Sequence, residues 1–243
     1  MLHQITANIY SSDFEEENDR PRLGYIKGTR FNVMVDAGNS PAHAQMFLEA
    51  LEKEGLQAPD FVILTHWHWD HVYGLSQLTL PSICSAKTQA KLIEMSHWKW
   101  DDISMHQRLL SGEDIAFCDA CIKVEYADPK TIKVKTADII FDKFLNIDLG
   151  GISTLVLRID NDHAEDSSIV FIPEEKVIFL GDITSPNYHT GPEHYTLEGI
   201  TKLIDALNEL NFDIAIHGHT EVMSKQAWMD WLEVERTKLK KAD

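Results

Sequence analysis

The stretch Thr65-His66-Trp67-His68-Trp69-Asp70-His71 decides how this chain is read. It places three imidazoles and a carboxylate straight after the apolar run Phe61-Val62-Ile63-Leu64. An apolar run of that length suits a strand buried on both faces. The polar cluster therefore sits where the strand ends and the chain turns out of the sheet, and such strand exits are where ligands usually bind. His66 and His68, at alternate positions, point the same way while the backbone stays extended. Asp70 and His71 follow the bend and face the same spot from another side. Imidazole nitrogen and carboxylate oxygen are the donors that a borderline cation such as Zn²⁺ takes. Surface histidines beside two tryptophans would account for two of these residues, but not for four at this spacing behind a buried strand.

Further along, the same arrangement recurs. Ile152 to Ile159 leads to Asp160-Asn161-Asp162-His163, and Val177-Ile178-Phe179-Leu180 leads to Gly181-Asp182. Phe212-Asp213-Ile214-Ala215-Ile216 leads to His217-Gly218-His219. His66, His163, Asp182 and His219 thus each follow an apolar, strand-like run within a few residues. Four strand ends of this kind can offer metal ligands on one edge of a sandwich.

His66-x-His68-x-Asp70-His71 resembles the signature of the metallo-β-lactamase fold superfamily of hydrolases. The resemblance covers nearly the whole chain and implies an α/β protein built as a four-layer αββα sandwich. It implies that His66, His68 and His163 hold one metal, that Asp70, His71 and His219 hold a second, and that Asp182 bridges the two. Gly218-His219 fits the family's Gly-His pair, which favours His219 over its rival His217. Asp36-Ala37-Gly38 matches an Asp-x-Gly of the family, making Asp36 a structural carboxylate near the metal histidines, and Gly74 matches a common glycine. The chain departs from the pattern at His163-Ala164-Glu165-Asp166-Ser167, where the family often has His-Thr-x-Gly-Ser.

The rest of the chain reads as alternating elements. Residues 3–10, 24–36, 61–65 and 82–85 suit strands. Ser40-Pro41 suits a cap and first turn of a helix carrying Ala44, Phe47, Leu48 and Leu51, stopped at Gly55. His71 to Leu75 starts a short helix, and Thr88 to Met95 suits another. The pieces 122–126, 131–135, 138–148, 152–160, 168–172 and 176–180 read as strands. Thr196 caps a helix, and a last helix from about Ser224 buries Ala227, Trp228, Trp231 and Leu232. The acidic piece Asp13 to Asp19 reads as a solvated loop or as a border of the pocket, which its composition does not distinguish. The segment 96–110, rich in aromatics, reads as a helical insert packed on the core or as a pocket wall. The lone Cys118-Asp119-Ala120-Cys121 reads as incidental.

The chain has 243 residues, 44% of them hydrophobic, enough for one domain over residues 1–243. No apolar run approaches a membrane span. Met1-Leu2-His3-Gln4 shows neither the basic nor the apolar part of a secretion signal. With three cysteines, too few for a disulfide scaffold, the sequence suits a cytoplasmic setting. The net charge of −17 disfavours nucleic acid and anionic membranes as partners. A small-molecule substrate is expected, and a homodimer is compatible with the sequence.

The resemblance then implies a dinuclear metal-dependent hydrolase whose bridging hydroxide attacks a small-molecule ester, thioester, lactone or phosphodiester. Two divalent ions are expected, Zn²⁺ first, with Mn²⁺ or Fe also accepted by these ligands. Asp70 is expected to orient the hydroxide, and Tyr188, His189 and His194, on the loop after Asp182, are candidates to contact substrate. β-Lactam hydrolysis is disfavoured, because the lactamases have Cys or Ser where this chain has Asp182. The alternatives are a mononuclear iron sulfur-dioxygenase on the same fold, which needs only His66, His163 and a carboxylate, and a non-catalytic binding protein.

Overall fold

The apolar run at 61–64 becomes the middle of a sheet, with parallel neighbours on both sides. The computed structural model describes residues 1–242, and among them thirteen strands form two sheets. The first sheet runs in chain order: β1 (Leu2–Gln4), β2 (Ile9–Ser12), β3 (Gly24–Lys27), β4 (Asn32–Val35), β5 (Phe61–Ile63), β6 (Ser82–Ser85) and β7 (Ile139–Phe141). It is antiparallel from β1 to β4 and parallel from β4 to β7. The second sheet holds β8 (Phe144–Asp148), β9 (Ser153–Arg158), β10 (Ser168–Ile172), β11 (Val177–Gly181), β12 (Ile214–His217) and β13 (Met223–Ser224). Only β11 and β12 pair in parallel there. The chain passes from one sheet to the other at Asp142-Lys143.

Helices cover the outer faces. α1 (Pro41–Lys53), α2 (Trp69–Val72), α3 (Ala86–Met95), α4 (Asp102–Ser111) and α5 (Ala116–Glu125) accompany the first sheet, while α6 (Leu197–Asn208) and α7 (Lys225–Ala242) accompany the second. The start of α1 is set locally. The Ser40 hydroxyl accepts the His43 N–H at 3.0 Å, and Pro41 supplies a preset φ at the first helical position. Gly55, at φ +70°, lets the chain leave the helix.

Three apolar layers result. Ile26, Val35, Ile63, Val156, Val170 and Phe179 pack between the sheets. Phe47, Leu51, Leu64 and Leu92 pack under the helices of the first sheet, and Ile200, Leu203, Leu207 and Phe212 under those of the second. Each such side chain contributes about 1.5–3 kcal/mol by leaving water. β10 and β11 are buried at every position, which is why they read as unbroken apolar runs. The fold is the αββα sandwich expected from the resemblance. Among the described residues, no helix is long and apolar enough to cross a membrane.

Several boundaries differ from the sequence reading. Residues 3–10 and 24–36 are not two strands but contribute to four, because Ile5 to Asn8 and Gly28 to Phe31 are turns. Residues 122–126 end helix α5: Ile122-Lys123-Val124-Glu125 alternates like a strand, but Cys118, Cys121 and Ile122 share the buried face of a helix. Residues 131–135 have the same alternation and lie in no strand. The piece 138–148 is two strands, one in each sheet. In α7, Trp228 and Leu232 are buried, whereas Trp231 is 37% exposed and leans edge-on against Tyr195.

Candidate metal centre

At one edge of the sandwich the loop after β5 meets the ends of β11 and β12 and the loop between β9 and β10. Two groups of side chains converge there. In the first, His66, His68 and His163 each present a ring nitrogen, all within 4.8 Å of one another. In the second, Asp70 and Asp182 each present a carboxylate oxygen and His71 and His219 a ring nitrogen, within the same limit. The Nε2 atoms of His66 and His163 face each other at 3.3 Å. Asp70 Oδ2 lies 3.0 Å from His71 Nε2 and 2.9 Å from His219 Nε2. Asp182 Oδ2 lies 3.3 Å from both of those nitrogens and 3.9 Å from His163 Nε2, so it reaches both groups.

The donors fit a metal by their satisfaction as well as their type. His68 Nε2 and Asp182 Oδ1 are buried without any hydrogen-bond partner. A buried polar atom left so is costly unless something else binds it. Two of the outward ring nitrogens are already committed. His163 Nδ1 donates to the Pro186 carbonyl at 3.0 Å, and His71 Nδ1 donates to Asp36 Oδ2 at 2.8 Å. Each bond orients its ring so that Nε2 is the atom left to face a metal.

Asp36 does more than hold His71. It sits at φ +60° and accepts the Thr65 N–H at 2.7 Å and the Thr65 hydroxyl at 2.9 Å. The Thr65 hydroxyl in turn lies 3.0 Å from His66 Nδ1. One buried carboxylate thus positions a residue of each group. Gly181, at φ +53°, lets β11 end against Thr65, where a Cβ would come within 2.7 Å of the threonine hydroxyl. Gly218 leaves room for Asp182, whose Oδ1 would lie 2.3 Å from an added Cβ. The loop carrying His219 is tied down by Arg22, whose main-chain N–H donates to Gly218 O at 2.7 Å and whose Nε donates to Thr220 O at 2.8 Å.

The two groups carry different charge. Burial pushes His66 and His68 well below the usual imidazole range, and the neighbouring histidines push them further. Burial likewise lowers His163. In the second group burial opposes every charge but is outweighed. Asp70, Asp182 and Asp36 hold His71 well above its usual value, and Asp182 with Asp70 does the same for His219. Asp70 and Asp182 are pushed down in return.

The structure brings all seven sequence-predicted ligands together. Tyr188 and His189 join His68, Asp70, His163, Asp182 and His219 in the wall of a cavity of about 560 Å³ over the centre. His194 does not: it lies exposed, its Nδ1 turned to the Pro192 carbonyl, because the loop folds back through main-chain bonds between Asn187 and His194. His217 stacks on Trp228 at 5.4 Å, and its Nδ1 accepts the His219 N–H at 3.0 Å. It supports His219 rather than replacing it. Segment 96–110 is partly a wall and partly core: Trp100 is buried, and the Arg108 guanidinium lies 4.6 Å from the ring centroids of both Trp98 and Trp100.

Sequence reasoning did not single out Asp19. It belongs to the acidic piece that reads as solvated or as a border of the pocket, and the structure supports the second: Asp19 lines the cavity with Glu16. Its Oδ1 lies 3.6 Å from His219 Nδ1, and its Oδ2 accepts the Trp69 indole N–H at 3.2 Å. Burial, reinforced by Asp70, pushes its carboxyl up to about 7. Its positive φ of +54° is invisible in a run of acids. Cys118, read as incidental, also lines this cavity.

A four-layer αββα sandwich with two groups of His and Asp donors at one edge defines a class of metalloprotein. The family model of the metallo-beta-lactamase superfamily matches residues 23–222. The chain belongs to that superfamily, which is made up mostly of hydrolases and includes non-hydrolytic members. Among solved structures, a metallo-beta-lactamase from Pontibacter korlensis is similar at 15% identity and TM-score 0.67, with 97% of this chain and 98% of that one covered. A motif mutant of a metallo-beta-lactamase from Cronobacter sakazakii is similar at 14% identity and TM-score 0.71, covering 100% and 96%. The sec-alkylsulfatase Pisa1 from Pseudomonas sp. is similar at 14% identity and TM-score 0.69, covering 97% of this chain but 40% of that one. These likenesses show the fold. No curated protein matches the chain by sequence.

Proposed function

We propose that the protein is a dinuclear metal-dependent hydrolase of a small-molecule ester, thioester, lactone or phosphodiester. The observation that carries this reading is the position of Asp182, one oxygen of which faces both donor groups while the other has no partner. His66, His68 and His163 would hold one divalent ion, and Asp70, His71 and His219 the other, with Asp182 between them. Two bound ions supply a water of lowered pKa and polarise the bond to be cleaved.

The chain's own residues supply the rest. Asp70 is oriented by His71 and His219, and its second oxygen is left to steer a nucleophilic water. Burial pushes the Tyr188 hydroxyl up to about 12, so it keeps its proton and can donate to an oxyanion developing in the cavity. Burial pushes His189 down to about 4, so its imidazole is neutral at pH 7 and its unpartnered Nδ1 can accept or donate a hydrogen bond.

Elemental analysis of the purified protein, followed by chromogenic esters, thioesters, lactones and bis-phosphodiesters with and without chelator, tests the proposal. Two equivalents of a divalent metal and chelator-sensitive turnover are expected. Asp70→Ala is expected to lower kcat/KM by roughly 10²–10⁴-fold. One iron per chain with oxygen consumption would instead favour the dioxygenase reading, and turnover untouched in Asp70→Ala would count against the centre.

A further inference from the structure

Ser185 lines the cavity over the metal centre, three residues after Asp182. Its main chain is held on both sides. The Ser185 N–H donates to Asp182 O at 2.8 Å, so a tight turn sets the serine against the aspartate. The flanking carbonyls are held too. Thr184 O accepts the Tyr195 hydroxyl at 2.9 Å, and Pro186 O accepts His163 Nδ1 at 3.0 Å.

The direction of its hydroxyl follows from a chain of bonds behind it. His217 Nδ1 accepts the His219 main-chain N–H at 3.0 Å, and a ring nitrogen that accepts carries no proton. Asp182 Oδ1, 3.9 Å from that nitrogen, is too far to take a proton from it. The ring proton of His217 is therefore on Nε2, which lies 3.3 Å from Ser185 Oγ and donates to it. Trp228, 4% exposed, stacks on the imidazole at 5.4 Å and 27° and keeps the ring in that plane. Oγ thus receives one hydrogen bond from behind, while its own proton has no acceptor among the described residues. An accepted bond also polarises the O–H that it feeds and strengthens it as a donor.

We propose that Ser185 is a catalytic hydrogen-bond donor, its hydroxyl meeting the substrate's carbonyl or phosphoryl oxygen that gains negative charge, with His217 as the positioning residue that aims it. The catalytic part of this assignment rests on the hydrolase reading. Ser185 keeps its proton and forms no covalent bond. A donor fixed before the substrate arrives needs no rearrangement as charge develops, which is where such donors are worth most. It adds to Tyr188 a second donor, one aimed from behind.

Ser185→Ala, Ser185→Thr and His217→Phe test this in the metal-loaded protein, each first shown to bind as many ions as the parent. With a chromogenic ester that the parent hydrolyses, Ser185→Ala should lower kcat by about 10²-fold and change KM by less than about threefold. Ser185→Thr keeps the hydroxyl and should recover to within about tenfold of the parent. His217→Phe keeps a ring against Trp228; it should cost about fivefold in the parent and nothing further in Ser185→Ala, because it acts through the serine. Phenyl methylphosphonate, which resembles the tetrahedral intermediate, gives a readout without turnover, and its affinity should fall about tenfold in Ser185→Ala. Histidine nitrogen NMR of the parent should show His217 protonated at Nε2 and bare at Nδ1. A proton on Nδ1, kcat or phosphonate affinity untouched by Ser185→Ala, threonine no better than alanine, or a His217→Phe cost that persists in Ser185→Ala would each overturn the proposal. Where His217→Phe loses ions or does not fold, the NMR tautomer decides in its place. No turnover by the parent, with phosphonate binding that still weakens in Ser185→Ala, defeats the hydrolase and leaves the donor standing. Neither turnover nor phosphonate binding by the parent defeats both.

Discussion

The three-imidazole group and the carboxylate group share one loop, yet they manage charge in opposite ways. His66, His68 and His163 have no carboxylate within their own group, and burial keeps all three neutral. His71 and His219 face Asp70 and Asp182, so they gain protons where the others lose them. The lesson is that a histidine's role cannot be read from burial alone. His66 and His71 are equally inaccessible and are driven apart by their neighbours.

The largest expected effect is on the pH dependence of metal uptake. An ion entering the carboxylate group must displace protons from His71 and His219, whose values are raised. Affinity there should fall as pH drops below those raised values, by up to about tenfold per pH unit for each proton displaced. The imidazole group, whose values are lowered, should show a shallower slope over the same range. Calorimetry in buffers of different ionisation heat would measure the protons released per ion. Equal release at both sites would erase the distinction.

A smaller effect is expected from Asp36→Asn. The change removes the acceptor behind His71 and should weaken ion binding at the carboxylate group by about 10–100-fold. The imidazole group feels it only through Thr65 and should lose less. Competition with a chromogenic chelator, read for the first and second equivalents separately, checks the order.

The smallest expected effect concerns a carboxylate outside both groups. Asp70 and Asp182 are pushed down by histidines, whereas Asp166 is raised from 3.8 to about 6 by burial. The folded protein therefore holds that proton longer than the unfolded chain, and stability falls as pH rises from about 4 to about 6. Asp166→Asn should be more stable than the parent by roughly 1–3 kcal/mol at pH 7 and gain nothing at pH 4. Urea melts at the two pH values decide this. A gain independent of pH would mean that packing, not charge, sets the difference.

The seven donors were legible because metal binding demands particular atoms, and a strand followed by a bend demands particular spacings. His66, His68, Asp70 and His71 carry both signals within six positions. His163, Asp182 and His219 carry only the strand-end signal and needed the family resemblance to be told from neighbours such as His217. Asp19 and Arg22 carried no signal, since their work depends on contacts with residues roughly fifty to two hundred positions away. Asp166 was legible only as a departure from the family pattern, not as an unpaired charge. Strands 122–126 and 131–135 failed because alternation in short segments does not distinguish a strand from the surface of a helix or an unpaired loop.

The single passage at Asp142-Lys143 divides the molecule so that His66, His68, Asp70 and His71 lie on one side of it and His163, Asp182 and His219 on the other. Neither segment alone owns a complete set of donors. Severed at that point, the protein would become two fragments, one per sheet, that meet through the apolar layer between them and complete each donor group only when joined.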